Sequence, residues 1–159
     1  MDAPKTMKYL TEQEAYAKAE HYCAYQDRAQ QELRDKLYEW GLAPAEVENV
    51  IVKLIEGNFL NEERFAKAYA RGKFSQKGWG RIKIKQGLTF KRVPDVLIKK
   101  ALLTIDGDEY LETLRKLLVK KATTLNERDA FKRRYKLQQY AYSRGFENDL
   151  VGDVLAVTP

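Results

Sequence analysis

Apolar residues in this chain recur at the spacing of helices that bury one face. Seven positions repeat twice, first after 51 residues and then after a further 53, and six of the seven are apolar in every copy. Because one shift carries two helical stripes and the turn between them, the pattern predicts three copies of a helical unit. The first copy contains Leu33, Leu37, Gly41, Leu42, Val47, Val50 and Ile51. The second contains Ile84, Leu88, Arg92, Val93, Ile98, Ala101 and Leu102, and the third contains Leu137, Ala141, Gly145, Phe146, Val151, Val154 and Leu155.

The predicted fold is all-α, with three tandem three-helix repeats that form an elongated, curved array. We expect an N-terminal tail at 1–9, repeat 1 at 10–58, repeat 2 at 59–105 and repeat 3 at 106–159. A unit of about 50 residues buries too little apolar surface to be stable alone, so the repeats should pack on their neighbours.

Residues that cap helices mark where several of them begin. Thr11 and Glu14 have the spacing of a capping box, which predicts a first helix running to about Tyr25. Pro44 predicts the start of the third helix. Further predicted N-terminal caps are Asp27, Asn61 and Asn126. Local alternation also permits an edge strand at 81–85, but the repeat favours a helix there because Ile84 corresponds to Leu33.

Positive charge is concentrated in the predicted second repeat. Ten basic residues and no acidic one lie between Arg64 and Pro94, whereas acidic side chains outnumber basic ones in the remainder of the chain. A second basic cluster, at 115–136, is diluted by only two acidic residues, Glu127 and Asp129. Such a surface suits a polyanionic partner, although a basic run can also be a solvated helix face.

The central segment contains residues 61–69 (NEERFAKAY), Lys73-Phe74 and residues 77–82 (KGWGRI). Together with residues 32–37 of the predicted first repeat, these motifs resemble the RecX family, the bacterial regulators of the RecA recombinase. Two positions depart from the family pattern: Ala29 stands in place of serine and Arg92 in place of glycine. Asp27 can substitute as the cap, and Arg92 predicts a turn without a left-handed residue.

The resemblance implies a protein that binds RecA filaments on single-stranded DNA, with the DNA contacted directly or through RecA, and that restrains filament growth, ATPase activity and strand exchange. We expect it to be a monomer. The runner-up interpretation is a helical adaptor that binds nucleic acid without recognising RecA, and a third is a scaffold that binds proteins through its acidic first repeat. Trp79 either stacks on a base or partner side chain or, as we favour, packs in the core. The candidate binding residues are Arg64, Arg71, Lys73, Lys77, Trp79, Arg81, Lys83, Lys85, Lys132 and Arg133.

Catalytic and membrane motifs are missing from the sequence. It has no phosphate-binding loop, HExxH helix, paired-cysteine zinc pattern or GxSxG elbow, so we predict a regulator without a catalytic residue, cofactor or metal. His21 and Cys23 are two residues apart on a helix, which directs their side chains apart. No apolar run is long enough to cross a bilayer, the first five residues lack a signal-peptide core, and the one cysteine excludes an internal disulfide. We therefore expect a cytoplasmic protein.

Overall fold

The computed structural model describes residues 9–157, which contain nine α-helices and no strand. Repeat 1 contains α1 (Glu12–Tyr25), α2 (Gln30–Glu39) and α3 (Pro44–Glu56). Repeat 2 contains α4 (Glu62–Lys77), α5 (Arg81–Phe90) and α6 (Asp95–Leu102), and repeat 3 contains α7 (Gly107–Thr124), α8 (Ala130–Ser143) and α9 (Asn148–Val157). The all-α class and the three three-helix repeats are confirmed, and the segment that alternates at 81–85 is helical.

The chain divides into two compact units, Met1–Ala66 with Lys91–Val93 and Lys67–Phe90 with Pro94–Pro159. The predicted repeat boundaries stay predictions. The predicted tail, apart from Tyr9, and the last two residues of the predicted third repeat lie outside the described residues.

In the first unit, α1, α2 and α3 pack around one apolar core. Small residues on α1 face larger aliphatic residues on the other two helices, which allows the helices to approach closely. Leu33 and Leu37 of α2 are fully buried, so the periodicity identified the inner face of this helix. The core side chains of the three helices are Ala15, Ala19, Cys23, Leu33, Leu37, Val47, Val50, Ile51 and Leu54.

In the second unit, α5 packs on α6, and α7, α8 and α9 pack on one another. Their inner faces contain the apolar positions that the repeat pattern selected, including Ile84, Leu88 and Ile98. Tyr110 and Phe146 are the largest fully buried side chains, and their ring centroids lie 5.1 Å apart.

The start of α5 meets the end of α8 through backbone hydrogen bonds. Gly80 N–H donates to the Arg144 carbonyl at 2.7 Å, and Ile82 N–H donates to the Gly145 carbonyl at 2.9 Å. Arg81 N–H donates to the Tyr110 hydroxyl at 2.9 Å. These bonds satisfy backbone N–H donors that the first turn of α5 would otherwise leave free. They also place the negative C-terminal end of the α8 dipole beside the positive N-terminal end of the α5 dipole. We call this contact the α5–α8 junction.

Two of the predicted caps are correct and two are wrong. Thr11 and Glu14 form the capping box, and Asn61 accepts the Arg64 N–H at 2.9 Å. Ala29, not Asp27, is the N-cap of α2 and makes no side-chain cap bond. The N-cap of α8 is Asp129, not Asn126, and it accepts the Lys132 N–H at 2.9 Å.

The same left-handed turn follows the second helix of every repeat. Gly41 and Gly145 have φ of +90° and +93°, and Arg92 has φ of +60°. The expectation that Arg92 avoids a left-handed conformation is therefore wrong. In repeats 1 and 3 the turn is closed by hydrogen bonds from Leu42 N–H to the Leu37 carbonyl and from Phe146 N–H to the Ala141 carbonyl. This closure requires a left-handed residue, whichever amino acid occupies the position.

Replacing Arg92 by glycine should stabilise the protein. A non-glycine residue in the left-handed region is strained by about 1–2 kcal/mol, and glycine removes that strain at a smaller cost in chain entropy. We expect Arg92→Gly to raise the free energy of unfolding by about 0.5–1 kcal/mol in urea titrations followed by circular dichroism. Arg92→Ala, which loses the charge but keeps the Cβ, is the control, and its free energy of unfolding should not rise. A lower unfolding midpoint for Arg92→Gly than for Arg92→Ala would contradict this account.

Two glycine-to-alanine substitutions should have opposite effects on stability. A Cβ at Gly80 would lie 2.3 Å from the Gly145 carbonyl oxygen, so Gly80→Ala must separate the α5–α8 junction. We expect a loss of roughly 3 kcal/mol. Gly72 lies inside α4, and a Cβ there meets no atom within 4 Å. Gly72→Ala should therefore raise the unfolding free energy by about 0.5–1 kcal/mol. Equal effects of the two substitutions in the same urea titration would show that the junction does not control stability.

Candidate nucleic-acid and partner interface

Trp79 lies between the end of α4 and the start of α5, with a cation on each of these two helices near its ring. The Nζ atoms of Lys73 and Lys83 lie 4.8 Å and 4.6 Å from the ring centroid. The Tyr69 ring meets it edge-on, with 6.5 Å between centroids. Trp79 is half-buried, so it is not the core residue that we favoured from the sequence. Two ammonium groups over one aromatic ring form a compact positive site.

The local backbone explains how this site forms. Gly78 has φ of +65°, and Trp79 N–H donates to the Lys73 carbonyl at 3.1 Å, which closes the end of α4. The Arg144 guanidinium donates to the Lys77 carbonyl, also at this end of α4. Gly80 then enters the α5–α8 junction, so both backbone neighbours of Trp79 are held in place.

Some of the predicted binding cations are available to a partner. Arg71, Lys77, Lys85 and Lys132 are exposed, and none of these four side chains forms an ion pair within residues 9–157. Lys77 lies one helical turn after Lys73, so both extend from one side of α4. We call Lys73, Lys77, Trp79 and Lys83 the Trp79 surface. Arg71 lies apart from it, in a groove beside Asp106 and Glu109.

Arg81 is engaged inside the second unit rather than free. Its Nη1 lies 2.8 Å from Glu147 Oε2, and its guanidinium carbon lies 3.9 Å from the centroid of the Tyr110 ring. The Tyr110 hydroxyl donates to the other Glu147 oxygen. Burial, followed by this hydrogen bond, raises the pKa of Tyr110 well above its ordinary value. Arg81 therefore links helices, and its charge is largely compensated by Glu147.

Arg64 and Arg133 also have structural partners. Arg64 Nε donates to Asp27 at 2.6 Å, and its Nη2 donates to the Asn58 carbonyl at 3.2 Å. Arg133 Nη2 donates to the Ala122 carbonyl near the end of α7 at 2.7 Å. Local sequence patterns do not predict such partners, because Asp27 lies 37 residues before Arg64 and Glu147 lies 66 residues after Arg81.

The tyrosines divide between buried and exposed positions. Tyr22, Tyr140 and Tyr142 are half-buried. Tyr25 and Tyr135 are 84% and 56% exposed, so their side chains lie mostly in solvent. Sequence reasoning also passed over Phe131, which is 81% exposed on α8. Its spacing of four residues from Tyr135 was the available signal.

Within residues 9–157, no group of three histidine, cysteine or acidic side chains is placed to hold a metal ion. Cys23 is buried, which raises the pKa of its thiol, and His21 is exposed. None of the helices in this part of the chain is long and apolar enough to cross a membrane.

Three family models match this chain, each describing one three-helix domain of RecX. The first domain matches residues 15–54, the second 61–102 and the third 108–155. Among curated proteins, the regulatory protein RecX of Bacillus mycoides (strain KBAB4) is 27% identical over 139 residues, covering 87% of this chain and 52% of the relative. That of Clostridium perfringens (strain 13 / Type A) is 32% identical over 130 residues, covering 80% and 60%. The chain thus spans between half and two thirds of the length of these relatives.

Solved structures show the same fold. A crystal structure of RecX from Lactobacillus salivarius matches with a TM-score of 0.85 at 24% identity, covering 91% of this chain and 94% of that one. A second crystal structure, of a regulatory protein RecX, matches with a TM-score of 0.83 at 23% identity and covers 91% and 71%. The three domain matches follow the order of the three repeats and together span most of the sequence. The chain belongs to the RecX family.

Proposed function

We propose that this protein regulates a RecA recombinase by binding its filament on single-stranded DNA and limiting filament growth, ATPase activity and strand exchange. Family membership supports this proposal, since the curated relatives carry the name regulatory protein RecX. The protein acts stoichiometrically, as a monomer rather than as an enzyme. It acts in the cytoplasm. The processes in which it takes part are DNA repair by homologous recombination and the SOS response.

The Trp79 surface is the observation that carries the proposal. It combines three cations with a half-buried indole in a short stretch of chain. A nucleoprotein filament offers phosphates and protein side chains together, and this surface can bind both. The ammonium groups attract phosphates or carboxylates, and the indole provides area for stacking. Association of this kind weakens steeply as salt rises.

The remaining sequence-selected cations contribute unequally in this proposal. Lys85, Arg71 and Lys132 are free to add electrostatic attraction. Arg64, Arg81 and Arg133 instead hold the fold through Asp27, Glu147 and the Ala122 carbonyl. Their effect on binding is therefore indirect, through the positions of the helices.

A nucleic-acid-binding adaptor without RecA specificity is the second candidate, because exposed unpaired cations attract any polyanion. Competition separates the two functions. Equal affinity for bare single-stranded DNA and for the RecA-coated strand would favour the adaptor. A clear preference for the coated strand would support the regulator.

Charge reversal on the Trp79 surface should weaken inhibition of RecA. We expect Lys77→Glu/Lys83→Glu to need roughly tenfold more protein for half-inhibition of RecA ATPase at low salt, because two contacts to anions are lost. Inhibition by this double variant should also depend less steeply on salt concentration than inhibition by the wild type. Lys53→Glu/Lys99→Glu is the matched control, since it makes the same charge change at exposed positions on α3 and α6. If the first pair inhibits like the wild type at every salt concentration, the Trp79 surface has no part in regulation.

Arg81→Glu should damage the fold before it affects binding. The substitution places a carboxylate beside Glu147 and removes the guanidinium from the Tyr110 ring, both partly buried contacts. We expect the free energy of unfolding to fall by about 2 kcal/mol or more in urea titration, whereas Lys85→Glu, on the next turn of α5, should change it by less than about 0.5 kcal/mol. Equal stability of the two variants would show that the link between Arg81 and Glu147 contributes nothing.

A further inference from the structure

The outer face of α8 exposes two aromatic rings. Phe131 is 81% exposed and Tyr135 is 56% exposed. They lie four residues apart, which places them on adjacent turns of one face. Leu137 and Ala141 mark the opposite, buried face of the same helix. Both side chains leave more than half of their surface uncovered in this structure, and adjacent exposed rings of this kind are found at binding surfaces.

Unpaired cations flank the two rings. Arg128, Lys132 and Arg134 are exposed, and their side chains form no ion pair within the described residues 9–157. The nearby carboxylates are engaged: Glu127 accepts from Lys136 Nζ at 3.1 Å, and Asp129 caps the helix through the Lys132 N–H. The surface around the rings is therefore positive and has no free carboxylate in its immediate sequence.

The first turn of α8 is held firmly in place. Asp129 satisfies a backbone donor of this turn, and Arg133 reaches the Ala122 carbonyl from the inner side of the helix. Both rings, Lys132 and Arg134 are therefore presented from a fixed helix, which lowers the ordering cost of binding, and Arg128 lies in the loop just before it.

We propose that this face of α8 binds single-stranded DNA directly, without RecA. Two bases stack on Phe131 and Tyr135, while Arg128, Lys132 and Arg134 contact the neighbouring phosphates. Alternating aromatic and cationic side chains suit an unpaired strand, because each base has a free face and each phosphate carries a charge. In a duplex the base faces are covered by stacking, so the rings would gain nothing there. Exposed rings also occur at protein interfaces, so contact with an acidic protein is the alternative that the test must separate from DNA binding.

The proposal is tested with a fluorescein-labelled oligothymidine and the full chain, with RecA absent, by fluorescence anisotropy. Phe131→Ala/Tyr135→Ala should weaken binding by tenfold or more, since each lost stacking contact contributes severalfold. The slope of log affinity against log salt should not change, because no charge is removed. Lys132→Gln/Arg134→Gln should instead make that slope shallower by about 1.4.

Phe90→Ala is the matched control, because Phe90 is 88% exposed on α5 and its removal should leave binding unchanged. Circular dichroism and urea titration are used to check that each variant is folded. The wild type should also prefer the single strand to a duplex of the same length.

Two outcomes would overturn the proposal. The first is wild-type affinity in Phe131→Ala/Tyr135→Ala, and the second is an equal loss in Phe90→Ala. If the first outcome is accompanied by weaker inhibition of RecA ATPase, the rings belong to a protein contact. If the wild type binds the oligonucleotide but does not inhibit RecA, the proposed regulatory function is wrong and the DNA site on α8 is still supported.

Discussion

The α5–α8 junction is a direct backbone contact that constrains how two helices of the second unit can lie. A carbonyl oxygen would lie 2.3 Å from a Cβ at Gly80, so the two backbones can meet only because this residue has no side chain. Their contact satisfies donors at the start of α5 and aligns two helix dipoles favourably. It also fixes the residue that follows Trp79, and so the placement of the proposed binding surface depends on a backbone contact.

The recurring left-handed turn is a second constraint, and it acts on all three repeats. Two repeats use glycine there, whereas the middle one uses Arg92 at φ of +60°. The strain at Arg92 is small beside the apolar burial on both sides of the turn, where Leu88 and Ile98 are almost wholly buried. Packing of the helices therefore determines the conformation of the turn, and it outweighs the preference of arginine for a negative φ.

Charge in this protein serves two separate purposes. Arg64, Arg81 and Arg133 are bound to acceptors within the fold, whereas Lys73, Lys83 and Lys77 remain available around Trp79. The sequence mixes the two groups, with Arg64 and Arg81 in the same basic stretch as the three lysines, because a cation on a helix looks the same whether or not an acceptor lies beside it. Arginine suits the structural positions, since its planar donors can bond several acceptors at once.

The helical class, the three repeats and most of the buried faces could be predicted from the sequence, because burial of one helix face requires apolar residues at a helical period. Capping by Thr11 and Asn61 was also readable, since those bonds span only three residues. The folded structure was needed to show that Asp27 pairs with Arg64 instead of capping α2, that Glu147 engages Arg81, and that Phe131 and Tyr135 are exposed. The two ion pairs join residues far apart in the chain, so they have no local signature. The spacing of Phe131 and Tyr135 is readable as one helix face, but whether that face is buried depends on how the helices pack.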